Sequence, residues 1–252
     1  MNERDIKEFV KERYSKVATK EESCSCSCCG GEESIIEQAK EAGYTMEEIS
    51  SIPADAVLGV GCGNPTALAE LKEGEKVLDL GSGGGIDVFL AAQKVGDNGK
   101  VIGVDITPKM VETALKNAEE GKYLNVEFKL GEIENLPIED GTIDVIISNC
   151  VINLTPDKSV AYSEAFRVLK PGGRILVSDL VTDGEIPEEI RKSFQAWSDC
   201  IAGAMEKQDY IETIHGVGFK DVKIVEAHYY AESNMDERLE GKILSIQLKA
   251  EK

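Results

Sequence analysis

The sequence is short of positive charge. Its 252 residues include 28 lysines and arginines against 47 aspartates and glutamates, which gives a formal net charge of −19. Because such a chain repels phosphate groups, unassisted binding to nucleic acid or to an anionic membrane is disfavoured. We therefore expect a neutral or cationic small-molecule ligand, with no nucleic-acid partner and no membrane partner.

Long apolar runs and targeting signals are also missing. No stretch reaches the roughly 18 apolar residues that suggest a membrane span, and the N-terminal MNERDIKEFVKERY has neither an apolar signal core nor a transit pattern. The sequence thus predicts a cytoplasmic protein. Thiols stay reduced in that compartment, so the seven cysteines indicate soft-ion binding or redox chemistry rather than a disulfide scaffold.

From Lys76 onward, short β-branched runs alternate with helical patterns. The runs KVLDL, KVIGVDI, VEFKLGE, IDVIISNC and RILVSDL predict five parallel strands joined by right-handed crossovers. A helix at about 188–205 follows, and then HGVGFKDVKIVEAHYY and KILSIQLKAE predict an antiparallel closing hairpin. The expected fold class is α/β, a doubly wound, Rossmann-like and mostly parallel seven-stranded sheet.

The N-terminal part has no strand pattern. Residues 1–20 form an amphipathic helix that should dock on the rest of the protein, and residues 33–51 continue as two short helices separated near Gly43. The segment AVLGVGCGNP is interpreted as a loop. We divide the chain into a helical extension (1–73), a ligand-binding core (74–181), and a lid helix with the closing hairpin (182–252).

A glycine-rich turn, VLDLGSGGGID, lies directly between the first strand and a helix. The dinucleotide fingerprint G-x-G-x-x-G fails because the sixth position counted from Gly81 is Ile86, so NAD is disfavoured. The turn instead has the pattern acidic-x-Gly-x-Gly-x-Gly, made by Asp79, Gly81, Gly83 and Gly85. Together with GEIENLP and VLKPGGRILVSD, it resembles the S-adenosylmethionine loop region of class I methyltransferases.

The charges at this turn suit that cofactor. S-adenosylmethionine carries a sulfonium and an amino group, which an acidic strand end at Asp79 attracts. Asp105, at the end of the second strand, can accept both ribose hydroxyls. The resemblance implies further cofactor contacts from Ile106, Met110, Glu132, Ile133 and Asn149.

Three of the seven cysteines, Cys62, Cys150 and Cys200, stand alone in the sequence. Cys150 comes at the carboxyl end of the fourth strand, where open α/β sheets bind their ligands. Cys62 lies between glycines in the loop GVGCGNP. Cys200 is placed on the predicted lid helix, on a face shared with Trp197, Ile201 and Ala204.

The segments GVGCGNP, ISNCVINLTPDK and WSDCIAGA resemble the arsenite methyltransferase family. The resemblance implies that Cys62, Cys150 and Cys200 bind trivalent arsenic, the small-molecule metalloid substrate, and soft thiolates suit that ion. Arsenic(III) keeps a lone pair, so its methylation needs no general base. His215 and His228, both placed in the hairpin region, receive no catalytic role. Return of arsenic to the trivalent state implies a thiol reductant such as thioredoxin or glutathione.

Four more cysteines are clustered in SCSCSCCGG and form either a flexible linker or a thiol arm that passes arsenite to the site; they are Cys24, Cys26, Cys28 and Cys29. Two other functions stay open. The chain could methylate a small organic acceptor such as a quinone precursor, or it could be a thiol-rich metalloid-binding or sensing module on a methyltransferase fold.

Overall fold

The computed structural model describes residues 2–19, 32–230 and 236–252. None of the helices in these ranges is long and apolar enough to cross a membrane. The α-helices span Glu3–Ala18 (α1), Glu32–Glu41 (α2), Met46–Ser50 (α3), Pro65–Leu68 (α4), Ile86–Val95 (α5), Pro108–Glu120 (α6), Lys158–Val168 (α7), Glu188–Arg191 (α8), Phe194–Ser198 (α9) and Lys207–Val217 (α10). The strands span Lys76–Leu80 (β1), Lys100–Asp105 (β2), Val126–Leu130 (β3), Ile143–Asn149 (β4), Leu169–Thr182 (β5), Lys220–Tyr229 (β6) and Ile243–Glu251 (β7).

The strands form one sheet in the order β3-β2-β1-β4-β5-β7-β6. β1 to β5 run parallel to one another, whereas β7 runs antiparallel to both β5 and β6. The predicted fold class, with its antiparallel closing hairpin, is confirmed. The strand order reverses between β1 and β4, and the crevice at such a reversal is where α/β sheets bind ligands.

The central strands of the sheet, such as β1 and β4, are buried on both faces. Leu78 of β1 points to one face and packs in a cluster with Tyr162 of α7 and Tyr210 of α10. Its neighbour Val77 points to the opposite face and packs in a cluster with Phe89 of α5. Successive strand residues face opposite sides, and helices cover both, which explains why the strands are apolar without alternation.

The N-terminal helix docks as its apolar face predicts. Ile6, Val10 and Val17 are buried, and α1 contacts α6 and α9. The ring centroids of Phe9 and Phe194 are 5.4 Å apart. α1 therefore bridges α6, the helix that follows β2, and α9, which lies near the C-terminal part of the chain.

The single lid helix predicted at 188–205 is wrong. α8 and α9 occupy only short parts of this segment, and Cys200 follows α9 in a turn. Its φ of +62° lies in the left-handed region, and its amide donates to the carbonyl of Trp197 at 3.0 Å. The helical face that the sequence assigns to Cys200 with Trp197, Ile201 and Ala204 is therefore not formed.

The position predicted for His215 is also wrong. It lies in the last turn of α10, a helix that the sequence pattern does not indicate, and only His228 lies in the hairpin, on β6. α10 ends because Gly218 adopts the left-handed conformation, with φ +118°. The glycine-rich HGVG thus contains the end of a helix and not the start of a strand.

Candidate active site

A cleft opens at the carboxyl ends of β1, β2 and β4. It contains about 1190 Å³ of empty space, part of which is open to solvent. Eight of the ten predicted cofactor residues line it: Asp79, Gly81, Gly83, Asp105, Ile106, Met110, Ile133 and Asn149. The residues that sequence motifs connect to S-adenosylmethionine are therefore brought together on one wall.

Gly85 and Glu132 do not line the cleft. Gly85 precedes α5 with φ +99°, and a Cβ at this position would come within 2.6 Å of the Phe89 ring, so it shapes the turn. The Glu132 carboxylate lies 2.7 Å from the Lys7 ammonium of α1. Glu134 lines the cleft instead and pairs with the same lysine at 3.0 Å.

Asp105 and the glycine loop hold each other in place. The buried Asp105 carboxylate accepts hydrogen bonds from the amides of Gly83 at 2.9 Å and Thr107 at 2.8 Å. Burial raises its pKa, and these hydrogen bonds oppose the rise. Gly83 has φ +50° and no atom within 4 Å of the position of a Cβ, so its backbone is open to a ligand.

Two further acidic side chains are buried beside the loop. Burial raises the pKa of Asp79 well above its usual range, and the charges of Asp87 and Asp105 add to the rise. Burial also raises the pKa of Asp87 to about 7, although Tyr44 and Asn149 stabilise its charged form. The Tyr44 hydroxyl contacts the two Asp87 oxygens at 2.9 and 3.0 Å. The cleft thus favours a cation.

Asn149 joins the cofactor wall to the loop around Cys62. Its side-chain oxygen accepts from the Cys62 amide at 3.0 Å, and its nitrogen donates to the Gly63 carbonyl at 2.6 Å. The same nitrogen donates to the Tyr44 hydroxyl at 3.0 Å. A Cβ on Gly61, which has φ +128°, would meet the Asn149 amide at 2.9 Å, so this close approach requires glycine.

The three lone cysteines converge beside this wall. Cys62 and Cys150, 88 positions apart in sequence, form a disulfide with their Cα atoms 5.9 Å apart. The buried Cys200 thiol donates to the Cys150 carbonyl at 2.8 Å. Thiols are expected from the sequence, whereas the structure contains one oxidised pair, because the fold brings these two sulfurs within bonding distance. The four cysteines of the cluster, Cys24, Cys26, Cys28 and Cys29, lie outside the described residues.

Asp179 is a member of the site that sequence reasoning missed. One of its carboxylate oxygens and the sulfurs of Cys62 and Cys150 all lie within 4.8 Å of one another. Burial raises the pKa of Asp179 to about 7, while the positive charge of Lys158 favours its ionised form. The Tyr210 hydroxyl donates to it at 3.0 Å. A buried acid inside an otherwise apolar strand, RILVSDL, is the signal that could have indicated it.

A doubly wound sheet with a glycine loop after β1 and an acidic residue ending β2 defines a methyltransferase domain, and the model of the methyltransferase domain family matches residues 71–218. The chain is 41% identical to the arsenite methyltransferase of Halobacterium salinarum, over 87% of this chain and 59% of that protein. It is 36% identical to the arsenite methyltransferase of Aquipseudomonas alcaligenes, over 87% of this chain and 63% of that protein.

The crystal structure of the arsenic(III) S-adenosylmethionine methyltransferase from Chlamydomonas reinhardtii superposes with a TM-score of 0.69 and 36% identity. The match covers 85% of this chain and 73% of that one. The chain belongs to the arsenite methyltransferase family. It spans less than two thirds of the length of the two curated relatives described above.

The residues present fit S-adenosylmethionine. The buried carboxylates of Asp79 and Asp87 match a ligand that carries an amino group and a sulfonium. The open backbone at Gly83 and the buried hydroxyl of Ser82, which has no hydrogen-bond partner among the described residues, provide polar groups on the same wall. Apolar side chains of Met110 and Ile133 can cover an adenine ring.

Binding of the cofactor should strengthen as pH rises through about 7, the value to which burial raises the pKa of Asp87. Below that pH, Asp87 of the free protein carries a proton, and the cationic ligand favours the charged carboxylate, so binding releases this proton. For one proton the affinity rises by up to about tenfold per pH unit. Calorimetry in two buffers of different ionisation enthalpy measures the release. The Asp87→Asn variant should show a weaker dependence, and a wild-type affinity that falls with pH would contradict the prediction.

Proposed function

We propose that this chain transfers a methyl group from S-adenosylmethionine to trivalent arsenic held by the thiolates of Cys62, Cys150 and Cys200. The observation that carries the proposal is the convergence of these three residues, from separate parts of the chain, at the carboxyl end of β4 beside the cofactor cleft. Three soft sulfur ligands match the three bonds that arsenic(III) forms.

The cofactor is held by the wall described above. Of the residues lining this cleft, Asp105 would accept hydrogen bonds from the ribose hydroxyls, Asp79 would bind the amino group, and Ile106, Met110 and Ile133 would surround the adenine. When bound, S-adenosylmethionine supplies an electrophilic methyl group on a positively charged sulfur. The protein contributes by holding donor and acceptor side by side, and this proximity supplies most of the acceleration.

The site needs no general base for the transfer. Thiolate-bound arsenic(III) keeps a lone pair, so its attack on a methyl group releases no proton. In agreement, neither histidine is among the residues that line the cleft. Arsenous acid is neutral near pH 7, so the net charge of −19 does not repel it.

The Cys62–Cys150 disulfide suggests how arsenic returns to the trivalent state. Methyl transfer leaves arsenic formally pentavalent, and its reduction takes two electrons. Both electrons come from Cys62 and Cys150: their two bonds to arsenic break, a disulfide bond forms between the two sulfurs, and an electron pair stays on arsenic, which remains bound to Cys200. A thiol reductant such as thioredoxin or glutathione then supplies two electrons and two protons to reopen the disulfide.

The experiment is a methyl-transfer assay with pre-reduced protein, S-adenosylmethionine and arsenite, in the presence of excess thiol. Methylated arsenic is expected, and a quinone precursor offered in place of arsenite should remain unmethylated. Arsenite binding without methyl transfer would instead favour a sequestering or sensing module. Methylation of the quinone precursor alone would favour the organic-acceptor alternative, which leaves the cysteine convergence unexplained.

The role of the Cys24–Cys29 cluster is tested by changing its four cysteines to serine. If the cluster is a thiol arm that captures arsenite or relays electrons, methylation depends on it only when arsenite or the reductant is scarce. We expect a lower rate at low arsenite or limiting reductant, and substantial methylation when both are plentiful. An unchanged rate under limiting conditions would favour a linker, and complete inactivity under plentiful conditions would place a cluster cysteine inside the catalytic site.

A further inference from the structure

One helix contacts both halves of the active site. Three residues of α1, namely Lys7, Val10 and Tyr14, line the cofactor cleft. Lys7 also pairs with Glu132 and Glu134, on either side of the cleft residue Ile133. α1 therefore forms part of the wall against which the cofactor would bind.

The same helix fixes the turn that carries Cys200. The Arg13 side chain, only 9% exposed, pairs with the Asp199 carboxylate at 2.5 Å and also donates to the Ser198 hydroxyl. The Tyr14 hydroxyl donates to the Ser198 carbonyl at 3.3 Å. Asp199 directly precedes Cys200, so the buried guanidinium is one residue away from the third arsenic ligand of the proposed function.

This turn needs external support. Cys200 has φ +62°, a conformation that costs a non-glycine residue energy and persists only where surrounding contacts impose it. Two hydrogen bonds provide part of that support: the Cys200 amide donates to the Trp197 carbonyl, and the Cys200 thiol donates to the Cys150 carbonyl. The Arg13–Asp199 pair provides a further contact, and it depends on the docking of α1.

We propose that α1 couples the two ligand sites, and that Arg13 is a positioning residue through which an occupied cofactor cleft holds Cys200 in place for arsenic. The inference rests on the proposed function for the identity of the second ligand. A cofactor that contacts Val10 and Tyr14 strengthens the docking of α1, and docked α1 holds Ser198 and Asp199. Coupling between sites is reciprocal, so arsenite must strengthen cofactor binding by the same factor.

The chain has a built-in reporter for this coupling. Trp197 is the only tryptophan of the chain. The Trp197 carbonyl accepts a hydrogen bond from the Cys200 amide. Fluorescence of Trp197 therefore follows the turn itself. S-adenosylhomocysteine is the suitable probe because it occupies the cleft without donating a methyl group.

In pre-reduced wild-type protein, S-adenosylhomocysteine should change the Trp197 emission and lower the Kd for arsenite by at least about fivefold, the lower end of typical coupling between sites. In Arg13→Ala the emission change should disappear and the ratio of the two arsenite Kd values should fall to about one. Arg4→Ala is the matched control. It removes the same charge from the same helix, but Arg4 is 85% exposed and pairs only with Glu8 at 2.9 Å among the ion pairs of the described residues.

Asp199→Asn is the second variant, since it keeps the shape of the side chain and removes only its charge. It should lose the coupling as Arg13→Ala does, with a circular dichroism spectrum like that of wild type. Full coupling in either folded variant, or a wild-type protein in which S-adenosylhomocysteine changes neither the emission nor the arsenite Kd, would overturn the proposal. The emission response needs no arsenite, so a protein that shows it but binds no arsenite refutes the proposed substrate and supports only the coupling between the cofactor cleft and the Cys200 turn.

Discussion

Replacement of Cys150 with serine is expected to abolish arsenite methylation and to leave the affinity for S-adenosylhomocysteine unchanged. Serine is nearly the same size but offers a hard oxygen where arsenic(III) requires a soft thiolate. Cys150 is also one of the two residues of the disulfide, so under the proposed mechanism the variant should lose the internal source of the two electrons that reduce arsenic. Mass spectrometry of the arsenic products and calorimetry of the cofactor analogue measure the two effects separately.

Two other cysteine variants sharpen this test. Cys200→Ser should also be inactive towards arsenite. Cys62→Ser should retain activity towards monomethylarsenite when excess external thiol supplies the electrons that the Cys62–Cys150 pair would otherwise provide, because arsenic that already carries a methyl group binds only two thiolates. Full arsenite activity in Cys150→Ser would refute the arsenic site, whatever the other variants show.

Replacement of Asn149 with alanine is the second change with a large expected effect. It leaves the Cys62 amide and the Gly63 carbonyl without the side chain that binds them. Each buried group left unpaired costs about 1–3 kcal/mol of stability. The displaced Cys62 loop should lower methylation per folded molecule by about 100-fold, since small misplacements of reacting groups cost that much.

Asn125→Ala is the matched control for this variant. The Asn125 amide donates to the carbonyls of Ala92 and Gly96, both at 3.0 Å, and it is not among the residues lining the cleft. It should lower the midpoint of urea unfolding, with normal methylation by the molecules that remain folded. If Asn149→Ala and Asn125→Ala lost the same activity per folded molecule, the proposed role of Asn149 in positioning the Cys62 loop would be refuted.

The fold was predictable because its signals are local. The run KVLDL marks a strand that the structure places at Lys76–Leu80, and the glycine turn follows immediately. Strands buried on both faces are continuously apolar, and such runs separated by helical patterns specify a doubly wound sheet. The clustering of the predicted residues in one cleft was predictable for the same reason, since most of them lie at or just after the carboxyl ends of these strands.

The lid was not predictable from local pattern. No proline or glycine interrupts residues 188–202, so the sequence favours one continuous helix. The structure breaks it through contacts distant in sequence or outside the helical period. The Ser193 hydroxyl caps α9, the Arg191 guanidinium donates to the Ala204 carbonyl, and the Cys200 thiol reaches Cys150. Tertiary contacts here outweigh helix propensity.

The buried polar partners of the site were missed for a related reason. Tyr44 and Asp87 are hydrogen-bonded across 43 positions of sequence, and no motif connects them. Asp179 approaches the Cys62–Cys150 disulfide only because β4 and β5 are neighbours. Such groups of buried polar residues form only when the chain folds. In the sequence they are indicated only by an isolated acidic residue within an apolar segment.

The place of β7 between β5 and β6 has a consequence for synthesis on the ribosome. β6 emerges before β7 but pairs with β7 and with no other strand in the described part of the sheet. Until β7 arrives, β6 is an unpaired edge that could join a neighbouring nascent chain. Its exposed charged side chains, Lys220, Asp221 and Glu226, disfavour such pairing. The same charges also disfavour aggregation through the exposed edge of β6 in the folded protein.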